Sequence, residues 1–336
     1  MLESTLGRVC AGEDLSLEEM SAAIDAIMQG RCSDGEIATL LTSLRAKGHS
    51  VEEVAGAAAA MRRHMVPIRS RRQGLLDNCG TGGDASGTFN ISTAAALVTA
   101  AAGVPIAKHG NRAMTSKTGS ADVLAALGVN IEADVATVER CLDEVGIGFC
   151  FAPMFHPAMR HVAAVRKKLG VPTIFNLLGP LCNPASAPYQ LLGVGRRDLQ
   201  QLLAEALVLL GTQRAVLVCG EDGLDEVTLA GTTSVIEATP SGSRTIEWTP
   251  EDFGLPRASL DAIQVVDAEE SAAVIRDVLS GESGTAREIV VANAAAALWT
   301  VGRSEGLREC ARLACEAIDS GAASETLARL VAVSQS

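Results

Sequence analysis

The sequence is short of positive charge, of paired cysteine and of any apolar run long enough to span a bilayer, and each shortage closes off a class of function. Its 28 lysines and arginines stand against 40 aspartates and glutamates, a formal net charge of −12. Such a surface repels nucleic acid and anionic membranes, so neither is expected as a partner. The nine cysteines are scattered, odd in number and free of any Cys-x-x-Cys pair, and read as reduced core or pocket residues. The longest apolar tract, Ala94 to Ala107, is interrupted by Thr99, Gly103 and Pro105. It falls short of the roughly 20 residues of a membrane-spanning helix. No basic region or apolar stretch follows Met1, so no secretory signal is expected and the cytosol is the expected compartment.

What is present suffices for a substantial core: 336 residues, 48% of them hydrophobic, about two domains by the usual size prior. The first segment is written in helix starts. Ser16-Leu17-Glu18-Glu19, Ser33-Asp34-Gly35-Glu36 and Ser50-Val51-Glu52-Glu53 each set a hydroxyl three residues before a carboxylate, the capping-box pattern. Apolar residues then recur at helical spacing, as in Ile37, Leu40, Leu41 and Leu44. A helical domain over residues 1–66 is expected, completed by a helical segment around 160–185.

After Pro67 short apolar strands alternate with glycine loops and helices, which predicts an α/β domain over residues 67–336 with a largely parallel sheet. Expected strands include Leu75-Leu76-Asp77, Val104–Ala107, Val129–Ile131, Tyr189–Val194 and Ala215–Val218. Residues from Glu269 to Val333 read as helices parted by Gly281, Gly302 and Gly321.

Asn78-Cys79-Gly80-Thr81-Gly82-Gly83-Asp84 lies between a strand and a helix, where glycines allow a sharp turn and point bare N–H groups at an anion. Alone, such a loop is as well explained by a tight turn. Thr88, Asn90, Ser92 and Thr93 then crowd polar groups into the start of the next helix, where one cap would do. Neither a P-loop nor a dinucleotide-binding glycine pattern is present. Lys108-His109-Gly110-Asn111-Arg112 ends the following strand and sets two cations beside Met114 to Ser120, a setting that neutralises a diphosphate.

Gly80-Thr81-Gly82-Gly83-Asp84, Asn90-Ile91-Ser92-Thr93, Lys108 to Arg112 and Gly119 to Leu124 together resemble the motifs of the anthranilate phosphoribosyltransferases. The resemblance resumes in His156 to Val162, Thr173 to Leu181 and Gly223-Leu224-Asp225-Glu226, so it spans nearly the whole chain in order. It implies the two-domain fold shared with pyrimidine nucleoside phosphorylases, a smaller all-helical domain joined to an α/β domain (a class IV phosphoribosyltransferase fold), and a homodimer paired through the helical domain. It also implies transfer of a phosphoribosyl group from 5-phosphoribosyl 1-diphosphate to anthranilate in tryptophan biosynthesis, with Mg2+. A nucleoside phosphorylase and a non-catalytic nucleic-acid-binding relative are the rival readings, the second opposed by the net charge. The sequence departs from the family where Ala164 stands for a proline, Pro172 for an arginine and Ala113-Met114 for a serine-rich run, which bears on loop detail rather than on chemistry.

Residue by residue, the resemblance implies a sugar-diphosphate site of Gly80, Gly83, Asp84, Thr88, Asn90, Ile91, Ser92, Thr93, Lys108, His109, Gly110, Asn111, Arg112, Thr115, Ser116 and Ser120. Gly80, Asn111 and Arg166, with His109 and His156, are implied for anthranilate, whose carboxylate suits the planar guanidinium of Arg166. Lys108 and Arg166 are expected to carry catalysis by charge and positioning, with no general base. Ser92, Asp225 and Glu226 are the expected magnesium ligands, because carboxylates beside a diphosphate need a bridging cation. Taken alone, the acidic glycine loop is more often a solvated turn, and the Arg160 to Lys168 helix a solvated basic face.

Overall fold

The computed structural model describes residues 2–84, 86–112 and 119–336. Four helices open the chain: α1 (Glu3–Cys10), α2 (Leu17–Met28), α3 (Asp34–Lys47) and α4 (Val51–His64). All three capping boxes form, with Ser16, Ser33 and Ser50 each accepting from the backbone three residues on and the Glu side chain reaching back. These caps satisfy the free N–H groups of each first turn, which explains why the helices start there.

The sheet order is β3-β2-β1-β4-β5-β6-β7. β1 (Leu76–Gly80), β2 (Ile106–Gly110), β3 (Ile147–Phe151), β4 (Tyr189–Gly193) and β5 (Arg214–Gly220) run parallel, and β6 (Thr233–Thr239) and β7 (Gly242–Trp248) add an antiparallel hairpin. After β1 the chain builds outward through β2 and β3, then returns to β1's other side with β4. That reversal makes the carboxyl ends of β1 and β4 a switch point, where ligands of open α/β sheets bind.

Helices cover both faces of the sheet. Between the strands lie α5 (Ile91–Ala101), α6 (Ser120–Ala126), α7 (Val135–Arg140), the short α8 (Ala152–Phe155), α9 (Arg160–Leu169), the single turn α10 (Phe175–Leu178) and α11 (Gln200–Leu209). The chain closes with α12 (Ala268–Leu279), α13 (Thr285–Thr300), α14 (Leu307–Asp319) and α15 (Ala322–Ser334), parted by Gly281, Gly302 and Gly321 as the sequence predicts. α5, α6 and α12 to α15 share one core with Leu76, Ile106, Leu191, Val216 and Val218. The first four helices share another with Val162, Val165, Ile174, Phe175, Leu178, α11 and the sheet residues Leu192, Leu217 and Ile236. No helix among the described residues is long and apolar enough to cross a membrane.

Two local expectations are corrected. Val129–Ile131 is not a strand: both apolar side chains are buried in the core from a loop whose Asn130 N–H is taken by Ser334 Oγ at 3.0 Å. The third strand is instead Ile147–Phe151, a five-residue run buried throughout. The β6–β7 hairpin was not expected, since its outer strand is largely exposed and lacks an apolar run.

Candidate active site

At the switch point the glycine loop leaves β1 and folds over the end of β4. Thr81 N–H donates to the Gly193 carbonyl at 2.8 Å, and Gly195 N–H to Thr81 Oγ1 at 3.2 Å. Gly82 and Gly83 take left-handed φ values of 67° and 83°, which favours glycine at both. The loop after β5 arrives from the other side: Gly82 N–H donates to Asp225 Oδ2 at 2.9 Å. A side chain at Gly80 would run into that same carboxylate, so glycine is needed for the close approach.

Behind the loop, α5 begins at Asn90, whose Oδ1 accepts from Thr93 N–H at 3.0 Å, while Asn90 N–H is held by Ser271 Oγ of α12 at 2.9 Å. Lys108, 2% exposed, reaches from β2 to Ser92 Oγ at 3.1 Å and to the Asn78 carbonyl at 2.9 Å. Burial lowers its ammonium pKa, and the Asp77 carboxylate opposes that shift. Burial and the Asp225 charge hold the Glu226 carboxyl well above its usual range, with Lys108 pulling the other way. Asp225 is pushed up to about 6 by burial and by Asp84. A buried cation, the backbone of the glycine loop and three crowded carboxyls thus meet at one end of the sheet.

On β2's opposite face lie two imidazoles. His109 Nδ1 meets the Gly179 carbonyl at 3.1 Å, and its Nε2 meets His156 Nε2 at 3.2 Å. A carbonyl only accepts, so the His109 proton sits on Nδ1 and its bare Nε2 faces the His156 ring. Burial lowers both, to about 3 and about 4, which keeps both neutral. Arg166 on α9 reaches Asn176 Oδ1 at 3.4 Å and lies over the Phe175 ring, both on α10, and has no carboxylate partner among the described residues.

Residues 3–65 match the family model for the helical bundle domain of the glycosyl transferase family, and residues 72–324 match that for its a/b domain. An anthranilate phosphoribosyltransferase of Rhodopirellula baltica is 53% identical, across 95% of this chain and 93% of its own. The chain belongs to the anthranilate phosphoribosyltransferase family. The crystal structure of an anthranilate phosphoribosyltransferase from Thermus thermophilus is 45% identical with a TM-score of 0.91, covering 98% of this chain and 99% of that one. The Saccharomyces cerevisiae anthranilate phosphoribosyltransferase in complex with PRPP and Mg is 30% identical with a TM-score of 0.91, covering 99% of this chain and 98% of that one.

Within this family frame, the network brings together Gly80, Gly83, Asp84, Asn90, Ser92, Lys108, Asp225 and Glu226. His109 and His156 form a second pair. The Ile91 side chain is buried in the core, so only its main chain is available to a ligand. Thr88 pairs in a bridge with Gln264. Arg112 turns outward to Asp122 at 3.1 Å, and Asn111 Oδ1 accepts from Arg112 N–H at 2.8 Å. Ser120 starts α6 beside Gly110. Thr115 and Ser116 lie outside the described residues.

No three His, Cys, Asp or Glu side chains among the described residues form a ready metal cluster. Ser92, Asp225 and Glu226 are nevertheless hard oxygen donors, and burial raises the carboxyls of the last two, with Lys108 opposing that rise at Glu226. That donor set fits magnesium, which needs only one or two carboxylates plus phosphate oxygens and water. Sequence reasoning missed Asp77, Asn78, Asn183 and Ser271. The signal for the first two is a polar pair directly after Leu75-Leu76, within β1; Asn183 and Ser271 carry no local signal.

Proposed function

We propose that this chain transfers the phosphoribosyl group of 5-phosphoribosyl 1-diphosphate to the amino group of anthranilate, releasing pyrophosphate, in tryptophan biosynthesis. The observation that carries this reading is the buried Lys108 ammonium between the glycine loop and Ser92 at the switch point. Breaking the anomeric C–O bond builds positive charge on the ribose and negative charge on the departing diphosphate. A cation already held in a low-dielectric slot stabilises that leaving group without reorganisation. The glycine-loop N–H groups and the start of α5 add donors to the same anion.

In this reading Ser92, Asp225 and Glu226 hold magnesium, which when bound neutralises the diphosphate oxygens. The aromatic amine is uncharged at neutral pH, so it attacks without prior deprotonation and loses its proton once the C–N bond has formed, and the acceptor side has chiefly to orient it. Arg166 takes the acceptor carboxylate through its fork, and Asn111 with the neutral His109 and His156 supplies hydrogen bonds that add no charge. The same reading places a helical domain at 1–66, an α/β domain at 67–336, a homodimer paired through the helical domains, and the protein in the cytoplasm.

Loss of anthranilate fluorescence on mixing with phosphoribosyl diphosphate and magnesium tests the reading directly; folded protein that consumes no anthranilate sinks it. For the metal, Asp225→Asn/Glu226→Gln removes charge with little change of shape. Turnover should fall and its magnesium dependence vanish, whereas an unchanged magnesium optimum puts the metal elsewhere.

A further inference from the structure

β1 treats its two neighbours differently. Toward β4 the ladder runs from Leu76↔Tyr189 to Gly80↔Gly193, but toward β2 it stops at the single pair Leu76↔Ile106. β2 stays paired with β3 along its whole length. A continued parallel ladder would have the Ala107 carbonyl accept from Asn78 N–H and the Asn78 carbonyl accept from His109 N–H. Side chains take those places instead. Asn183 Nδ2 donates to the Ala107 carbonyl at 2.7 Å, His109 N–H donates to Asp77 Oδ1 at 3.1 Å, and Lys108 Nζ donates to the Asn78 carbonyl at 2.9 Å.

These substitutes are fixed in turn. Asn183 Oδ1 accepts from Ala185 N–H at 2.8 Å, which orients the amide so that its Nδ2 faces β2. Its amide also draws the Asp77 carboxyl pKa down, against the upward push of burial. Asp77, Asn78, Lys108 and Asn183 are all buried, so an unmet main-chain group here has no water to turn to. Without Asp77, the His109 N–H has one natural acceptor, the Asn78 carbonyl, and that carbonyl is the one Lys108 occupies. That oxygen has a second lone pair, so what closing the ladder would cost is space: it draws β2 onto β1 at the point where the Lys108 ammonium sits.

We propose that Asp77 and Asn183 are positioning residues that hold β2 away from β1, keeping open the gap in which the Lys108 ammonium sits and setting the His109 ring toward His156. The inference rests on the reading of the site given above and adds to it residues that need touch neither substrate. It explains why a carboxyl is buried within β1: an acceptor is needed there that is longer than a main-chain carbonyl.

Turnover and both KM values, measured with thermal unfolding on the same samples, test it. Asp77→Ala should lower kcat about 100-fold, the scale of a small misplacement of a catalytic group, while the folded fraction at the assay temperature is unchanged. Asp77→Asn keeps an acceptor for His109 N–H and should recover about tenfold of that loss. Asn183→Ala should lose about tenfold, and the double alanine variant should lose no more than Asp77→Ala alone, because both act on one gap. A folded Asp77→Ala protein with wild-type kcat overturns the proposal, as does a loss that Asp77→Asn shares in full or multiplicative losses in the double variant. Should Asp77→Ala not fold, wild-type kcat in Asn183→Ala overturns it equally. A wild-type protein that consumes no anthranilate instead overturns the functional reading, and this inference with it; indifferent variants of a working enzyme overturn this inference alone.

Discussion

The helical unit and the carboxyl edge of the sheet meet the same difficulty, main-chain groups that helix or ladder leaves without partners, and resolve it at opposite distances along the chain. In the helices each gap is closed by a residue three positions away: Ser16 with Glu19, Ser33 with Glu36, Ser50 with Glu53. At the edge the closing residue lies 32 positions away for His109, 76 for Ala107, 143 for Gly82 and 181 for Asn90. The helix starts can therefore form alone, whereas the site comes into being only when the whole sheet has assembled. Damage to a helix start should cost stability and leave chemistry intact, and damage at the edge should do the reverse.

The largest separation of the two effects is expected from Lys108→Ala. It removes the buried ammonium that faces Ser92 and the acidic loop, and kcat/KM should fall about 10³-fold, the scale of deleting one preorganised electrostatic contact in a dry site. Affinity for the phosphoribosyl diphosphate, measured by calorimetry, should weaken more than affinity for anthranilate. Unchanged diphosphate binding would remove the lysine from the site and leave the edge without its leading chemical argument.

A pH series cuts across the same divide. His109 and His156 are held near 3 and 4 against an ordinary 6.5, so in the folded protein they stay neutral while the unfolded chain takes up their protons. Their contribution to stability is complete above pH 6.5 and drains away as pH falls toward 4. Asp77 and Asp225, pushed up to about 6, act in the opposite sense between 6 and 3.8, since there the folded state holds the extra protons. The clean measurement is a difference. Denaturant unfolding of His156→Gln and wild type should show the variant losing up to about 1.4 kcal/mol less per pH unit across that window. Parallel pH curves would mean that His156 is not buried neutral.

How much of this was legible in the sequence follows the same distances. The capping boxes, the glycine-parted C-terminal helices and the glycine loop could be read because each signal lies within a few residues. Asp225 and Glu226 were reached only through motif resemblance, since nothing local says that their loop folds onto Gly82. Asn183 and Ser271 were not read at all: an asparagine after a Leu-Cys pair and a serine inside a helix look ordinary until the strand end or helix start they serve is beside them. Val129–Ile131 misled for the converse reason, because two buried apolar residues flanking an exposed Asn130 satisfy a strand alternation as well as they satisfy a packed loop.

Arg166 offers a smaller effect, at the border between the two regions, because α9 packs with the helical unit while its guanidinium lies over Phe175. Arg166→Lys keeps the charge and loses the bidentate fork. Acceptor-side kcat/KM should drop by about 1–3 kcal/mol, the range of one charge-assisted hydrogen bond, with the diphosphate's KM unmoved. A rise in the diphosphate's KM instead would assign this arginine to the phosphates.

The smallest expected effect tests the other half of the comparison. Ser16 Oγ accepts from Glu19 N–H at 3.2 Å, and Glu19 returns the bond to Ser16 N–H at 2.9 Å, both at an exposed helix start. Ser16→Ala breaks the first of these and leaves a first-turn N–H to water, which costs about 1 kcal/mol. Water reaches the freed group, so the deficit is that of a cap and not that of a buried orphan. No side chain of the active-site network touches Ser16 among the described residues, so kcat and both KM values should match wild type at temperatures where the variant is folded. A Ser16→Ala protein that is as stable as wild type would mean the box contributes nothing beyond hydration. One that unfolds normally but turns over more slowly would mean that the helical unit and the sheet edge are coupled, and that the division between local stability and assembled chemistry is drawn in the wrong place.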